Sequence, residues 1–506
     1  MSDLDVWSID ARTGEKVEVV ASAATDAEVD AAATRAAEVA PSLVEAGLAG
    51  RARLLRAMAD EIEKDGDAIV EAADRESALG QVRLRGELAR SAYQLRLFGE
   101  VLDDGGYLEL TIDHQDANAV PAPRPDLRRM LVPVGPVGVF SASNFPLAFS
   151  VPGGDTASAI AAGSPVVVKA HSGHPYTSQL SAAALRRAAA SAAVPEDVVQ
   201  VVHGRRAGTR LVVHPAIQAV GFTGSVGGGR ALYDLATSRP QPIPFYGELG
   251  SINPFVVTPE AAAQRAESIG SGLAGSFTLG VGQFCTKPGL VFVPAGADGQ
   301  RLVAALAEAA GRIPGGPMLT PSIREGFLSG AAERAALPGV RAVLSASGQI
   351  SPHVLVASAT ALDDVLLEEC FGPLVVVVEY GDEEELFAAL DRVPGSLTAS
   401  VHCGDSEGVA GSFAGRVAQR VTGMAGRILF NGYPTGVAVT WAQQHGGPWP
   451  ATTFPHHTSV GTTAIRRFLR PVAYQDAPDA LLPAELREGN PLGLPRRVDG
   501  RYELHG

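Results

Sequence analysis

Ala219-Val220-Gly221-Phe222-Thr223-Gly224-Ser225-Val226-Gly227-Gly228-Gly229-Arg230 runs from a short apolar strand through a glycine-rich turn into a helix. Ser225 is placed to cap that helix, and the glycines let a pyrophosphate approach backbone N–H groups at its N-terminus. Upstream, strand-like runs at 130–134, 137–141, 166–169 and 198–202 alternate with helical runs near 155–162, 177–193 and 207–213. Alternation of this kind predicts an α/β protein whose parallel sheet is covered on both faces and binds nucleotides at the carboxyl ends of its strands. The turn is not a G-x-G-x-x-G fingerprint, so by itself it stays open between a phosphate cradle and an ordinary turn.

A second alternating unit begins after Glu248, with strands expected at 252–257, 289–293 and 374–379 and helices at 259–273 and 299–310. Residues 24–89 read as Ala-rich structural helices; Leu54, Leu55, Met58, Ile62 and Ile69 approximate one apolar face. Residues 103–125 are polar and turn-rich, and alternation at 107–112 reads as an edge strand or bridging hairpin. The tail, 471–506, carries five prolines and little periodicity, so it is expected to lie extended over the surface or a neighbouring subunit.

At 506 residues the chain exceeds one ordinary core, and two or three subdomains are expected. Charged residues at 19% and hydrophobic residues at 46% suit a folded chain. A net charge of −14 argues against a nucleic-acid surface. Met1 to Asp5 has no basic or apolar leader character, and every apolar run is too short to cross a bilayer, so no membrane partner and a cytoplasmic location are expected. Cys285, Cys370 and Cys403 have no metal-ligand spacing, so reduced thiols and no metal are expected. Lysine occurs only at 16, 64, 169 and 287, the last two inside motifs.

Gly280-Val281-Gly282-Gln283-Phe284-Cys285-Thr286-Lys287-Pro288-Gly289 places one thiol in a bend. A lone cysteine in an apolar run is ordinarily a small buried hydrophobe. Other segments supply partners for thiol chemistry. Ser143-Asn144-Phe145-Pro146, Gly247-Glu248-Leu249-Gly250 with Asn253-Pro254, and Gly282-Gln283-Phe284-Cys285 together resemble the aldehyde dehydrogenase superfamily from about residue 130 to 474. Lys169 at its strand end, the 222–225 turn, Glu369-Cys370-Phe371-Gly372-Pro373 and Leu429-Phe430-Asn431-Gly432 belong to the same resemblance.

The resemblance implies an aldehyde dehydrogenase-like fold: a Rossmann-type cofactor domain over 1–247 with a bridging and oligomerisation segment inserted at 108–128. A catalytic α/β domain over 248–455 and an oligomerisation strand with extended tail over 456–506 complete it. It implies Cys285 as nucleophile, the Asn144 amide and the Cys285 N–H as oxyanion donors, and Glu248 as general base. Lys169 would hold the adenosine ribose hydroxyls, Gly224, Ser225 and Gly229 the pyrophosphate turn, and Glu369 and Phe371 the nicotinamide ribose and ring. Many relatives place a Glu three positions after the strand-end lysine, whereas here Ser172 stands there. Without that charge NADP is expected over NAD, with Thr177 and Arg205 as phosphate contacts.

Arg124 to Met130, Ala142 to Ser150, Gly153 to Ser158, Lys169 to Pro175, Glu248 to Pro254, His445-Gly446-Gly447-Pro448 and Phe468-Leu469-Arg470-Pro471-Val472 resemble the 2-oxoglutarate semialdehyde dehydrogenases. The expected reaction is NADP-linked oxidation of that short oxo-acid semialdehyde to 2-oxoglutarate through a thiohemiacetal and a thioester. Arg96 and Arg128 are the candidates for the substrate carboxylate. An NADP-dependent dehydrogenase of medium or long aliphatic aldehydes is the alternative. A thiol hydrolase would need an imidazole at Cys285, and the histidines nearest in sequence, His214 and His353, sit in no thiol-protease motif. A catalytically silent relative would be expected to lack Cys285, Glu248 or Asn144, and all three are present. A homodimer or homotetramer through segments near 107–121 and 463–475 is implied.

Overall fold

The structure, a computed structural model, describes residues 5–346 and 348–504. The first four residues, part of the leader reading above, lie outside them. After a two-stranded sheet of Asp5–Ile9 and Lys16–Ser22, a five-stranded sheet is built outward from the central strand Val137–Phe140, which adds Val166–Lys169 and Val199–Val202 on one side. The chain returns to place Ala219–Thr223 and Phe245–Glu248 on the other, and all five strands are parallel. The direction of winding therefore reverses between Val137–Phe140 and Ala219–Thr223, which opens a crevice at their carboxyl ends. The sheet is buried on both faces, as the apolar runs require. Val166 and Val168 pack with Ile160, Ala182 and Leu185, while Val167 faces the opposite cluster of Leu211, Val212 and Val220.

A further sheet has seven strands in the order Arg341–Leu344, His353–Ser358, Leu374–Tyr380, Leu290–Pro294, Pro254–Val257, Ser396–His402 and Ala425–Phe430. Only the edge strand Arg341–Leu344 is antiparallel. The helices Pro259–Thr278 and Ala297–Gly311 cover one face through Ile269, Leu273, Leu302 and Leu306.

Two expectations need correction. The strand read at 130–134 does not join the five-stranded parallel sheet: Leu127–Pro133 lies between Leu469–Gln475 and Thr111–Asp113 in another sheet. The tail is not merely extended, because Arg496–Val498 and Arg501–Glu503 continue that sheet. Leu482, Leu486 and Leu494 of the tail pack into a small core with Leu108, Leu110 and Met130. The prolines misled because Pro471 sits on an edge strand, where a missing N–H costs no ladder bond. Gln81–Asp104 forms one long helix, well past residue 89, whose buried face carries Leu84, Leu88, Leu95 and Phe98. Among the described residues no helix is long and apolar enough to cross a membrane.

Candidate active site

Cys285 follows a tight turn, Leu279–Gly282, in which Gly280, Val281 and Gly282 all adopt positive φ. Val281 is β-branched, so its φ of 58° is held by the surroundings. A Cβ on Gly282 would stand 2.3 Å from the Gly372 carbonyl, so only glycine lets these two loops touch. Asn253, fully buried, holds the thiol loop from below. Its Nδ2 donates to the carbonyls of Cys285 at 2.8 Å and Lys287 at 2.9 Å, while its Oδ1 accepts from Ser251, Thr398 N and Thr398 Oγ1. The Asn253-Pro254 motif thus connects the end of one segment to the nucleophile loop of another.

Glu248 ends the strand Phe245–Glu248 and is 3% exposed. Its Oε1 accepts from His445 Nε2 at 2.9 Å, and its Oε2 accepts from the Ser459 hydroxyl. His445 Nε2 also lies 3.6 Å from Cys285 Sγ, and the acid, thiol and imidazole ligand atoms fall within 4.8 Å of one another. Burial pushes Glu248 up, but His445, Ser459 and the Cys285 thiol more than offset it, so its pKa sits below the ordinary value. Burial, then the adjacent Glu248 charge, pushes the Cys285 thiol well up. The resting pair is therefore a thiol beside a carboxylate, the arrangement in which the acid can take the proton as sulfur attacks.

His445 is the functional residue that sequence reading missed. It was legible only as part of a motif, since 160 residues separate it from Cys285. His214 and His353, weighed instead because they are nearer in sequence, make their contacts elsewhere, to Asp30 and Ser345. The imidazole does not complete a hydrolase relay: one nitrogen faces both Cys285 and Glu248, while Nδ1 is buried without a partner among the described residues.

Asn144 follows the central strand and is largely buried; its Nδ2 donates to the Gln283 carbonyl at 2.9 Å. That leaves its second amide hydrogen. The Cys285 N–H donates to no described residue. Asn144, Thr223, Gly224, Ser225, Cys285, Glu369 and Phe371 line one cleft of about 650 Å³, which begins in the crevice between the two central strands and ends at the thiol. Ser225 caps the helix Val226–Thr237 by accepting from Gly228 N at 3.2 Å. Glu369 is pushed up to about 7 by burial, against the pull of Lys287 and a Ser251 N–H.

The remaining candidates are distributed differently. Gly229 is buried in the helix after Ser225, where a Cβ would stand 2.2 Å from Leu249, so packing requires glycine there. The expected phosphate contact at Thr177 is corrected: it is fully buried, with its N–H and hydroxyl donating to Glu76 at 2.9 and 2.7 Å. Ser172 lines a groove with Glu76 and His171, so a carboxylate does stand in that region, supplied by the helix Gly66–Ser77. Arg205 lines a different groove with residues 23–27 and is exposed. It has no carboxylate partner among the described residues, whereas Arg206 is held by Asp26 at 2.7 Å. Lys169 is pushed down by burial and by Arg205. Arg96 pairs with Asp60 and Glu63, and Arg128 with Asp126 and Glu488, so neither expected carboxylate anchor is free.

The family model described as the aldehyde dehydrogenase family matches residues 5–449. The chain is 46% identical to alpha-ketoglutaric semialdehyde dehydrogenase 2 of Azospirillum brasilense, over 98% of this chain and 96% of that one. It is 42% identical to alpha-ketoglutaric semialdehyde dehydrogenase of Acinetobacter baylyi, over 98% of this chain and 95% of that one. Its fold is similar to the solved methylmalonate-semialdehyde dehydrogenase of Oceanimonas doudoroffii, with a TM-score of 0.79 at 19% identity, covering 94% of this chain and 96% of that one. The family match over residues 5–449 and the 46% identity along nearly the whole chain show that the protein belongs to the aldehyde dehydrogenase family, as an oxidoreductase acting on aldehydes.

Proposed function

We propose that the protein oxidises 2-oxoglutarate semialdehyde to 2-oxoglutarate, with NADP preferred over NAD. The observation that carries the substrate is 46% and 42% identity, over nearly full length, to two enzymes named for that semialdehyde. The cleft suits a dinucleotide: it joins a capped helix N-terminus to the thiol, and Gly227 leaves open space at that N-terminus. In this reading Lys169 holds the adenosine ribose, Gly224 and Ser225 the pyrophosphate, and Glu369 with Phe371 the nicotinamide ribose and ring. Bound there, the cofactor supplies the hydride acceptor.

The protein residues do the rest. Glu248 takes the thiol proton as Cys285 sulfur bonds to the aldehyde carbon. The Asn144 amide and the Cys285 N–H stabilise the oxyanion of the thiohemiacetal, each such donor being worth about a hundred- to a thousand-fold in rate. After oxidation to the thioester, Glu248 gives up that first proton to solvent, removes a proton from the attacking water and returns it to the leaving sulfur, so that the acid departs as the thiol is restored.

For NADP the support is Arg205, an exposed guanidinium whose neighbour Arg206 is already paired. The Glu76 carboxylate near Ser172 is occupied with three donors at the start of the helix Pro175–Ser191 and so is not offered to a ribose. The division at 1–247, 248–455 and 456–506, the homo-oligomer and the cytoplasmic location belong to the same proposal. Steady-state oxidation of 2-oxoglutarate semialdehyde with NADP and NAD in parallel, against a long-chain aldehyde, tests it. Fastest turnover of the oxo acid with NADP is expected, and preference for the long-chain aldehyde would overturn the substrate.

A further inference from the structure

The helix Gln81–Asp104 presents Arg83, Glu87 and Arg90 on one face, at the spacing of successive turns. Glu87 is buried and anchors the segment after Asn144, its Oε1 accepting from Leu147 N at 2.8 Å and Ala148 N at 3.0 Å. Arg83 donates through Nη2 to the Asn144 carbonyl at 2.7 Å and lies over the rings of Phe145 and Phe284, at 5.1 and 4.8 Å. Its role is therefore to position Asn144 and the residue preceding Cys285.

Arg90 is different. Its guanidinium lies over Phe149 at 5.3 Å and Phe145 at 5.8 Å, and it makes no hydrogen bond or ion pair among the described residues. Nε and Nη2 are both shielded from solvent and without partner. Glu87 offers no ion pair, although its Oε2 is also unpartnered. A buried cation with unmade donors is costly, more so than a neutral group in the same place. Phe149 in turn lies 6.3 Å from the ring of His445, which touches Cys285, and the Arg90 charge is felt by both Cys285 and Glu248. The aromatic rings thus hold a planar donor fork near the thiol, on the side supplied by this helix.

We propose that Arg90 receives the substrate's distal carboxylate, with Phe145 and Phe149 walling the short carbon chain that joins it to the aldehyde. This rests on the oxo-acid reading above and names the residue that selects for it. A guanidinium matches a carboxylate with two parallel N–H···O bonds, and the match satisfies the donors that the free enzyme leaves unmade. An uncharged aldehyde of equal length would leave them unmade and lose that gain.

The test compares 2-oxoglutarate semialdehyde with pentanal in the full-length enzyme, reading KM and kcat separately. Arg90→Met is expected to raise KM for the oxo acid about 100-fold while changing KM for pentanal less than about threefold. Arg90→Lys keeps the charge but not the fork, and is expected to fall between; it also serves if the Met variant folds poorly. Equal losses on both substrates, or a fall in kcat alone, would assign Arg90 to tuning the thiol and overturn the anchor. Wild-type preference for the oxo acid that survives Arg90→Met sinks the anchor alone. A wild-type enzyme without that preference sinks the substrate reading and the anchor together.

Discussion

His445 Nε2 stands 2.9 Å from Glu248 Oε1 and 3.6 Å from Cys285 Sγ, so a single nitrogen serves both the acid and the thiol. Since a carboxylate can only accept, this nitrogen donates to Glu248. His445→Ala removes the hydrogen-bond partner that helps to hold Glu248 low, and burial then dominates. The Glu248 pKa rises, so more of the base is protonated near neutrality. The acid limb of kcat/KM is expected to move to higher pH, with a loss at pH 7 of about tenfold or more. An unmoved limb would separate His445 from the base.

Glu248 has the opposite effect on Cys285, where its charge is one of the causes that push the thiol up. Glu248→Gln removes that charge and the acceptor for the thiol proton. The midpoint for alkylation of Cys285 by iodoacetamide is expected to move to lower pH while turnover drops about a hundred- to ten-thousand-fold. A midpoint that stayed or rose would show that Glu248 does not face the thiol in solution. Cys285→Ala should abolish oxidation altogether while leaving dinucleotide affinity nearly unchanged, which titration of the variant with NADP checks.

In the proposed ribose contact, Glu369 would give cofactor binding its own pH dependence. With its pKa pushed up to about 7, the carboxyl is neutral below that pH and charged above it. The charged form accepts from ribose hydroxyls on both oxygens, so the KM for the cofactor is expected to rise as pH falls through about 7. Glu369→Gln should flatten that dependence at the weaker-binding level. A variant with the wild-type profile would remove Glu369 from the ribose contact.

The proposed preference for NADP is tested at Arg205, the exposed guanidinium of its groove. Arg205→Ala is expected to lower kcat/KM with NADP about 10- to 100-fold while leaving NAD within about threefold, consistent with loss of one charge-assisted phosphate contact. Equal effects on both cofactors would place the arginine outside the 2′-phosphate site.

Asn253 predicts a stability effect without any chemistry of its own. Asn253→Ala leaves Thr398 N and the carbonyls of Cys285 and Lys287 without their buried partners. A cost of about 3 kcal/mol or more is expected, read as a lowered thermal midpoint. A variant as stable as wild type would mean that the thiol loop is held by its other contacts, including the Gly282 approach to Gly372.

Local chemistry made much of this protein legible in advance. The apolar runs at 166–169 and 219–223 read as buried parallel strands, because short runs without alternation, set between helical segments, have little to give to water. Ser225 reads as a helix cap, and is one, because capping depends on neighbours two or three residues away. The same local reasoning failed wherever the deciding partner was remote. Thr177 reads locally as a ligand contact, because the sequence does not show Glu76, a hundred residues earlier, beside it. Gly229 reads as open backbone, because the sequence does not show Leu249 packed on it. Arg96 and Arg128 could not be told from Arg90 in the sequence. An arginine's meaning depends on whether acids from other elements come within reach, and only folding paired the first two with their carboxylates and left Arg90 among phenylalanines. The sequence by itself determined the doubly wound sheet and, through its motifs, singled out the thiol and the acid as candidates. The tertiary structure decided that His445 joins them and which charges remain free to meet a substrate, since both depend on distances that only packing sets.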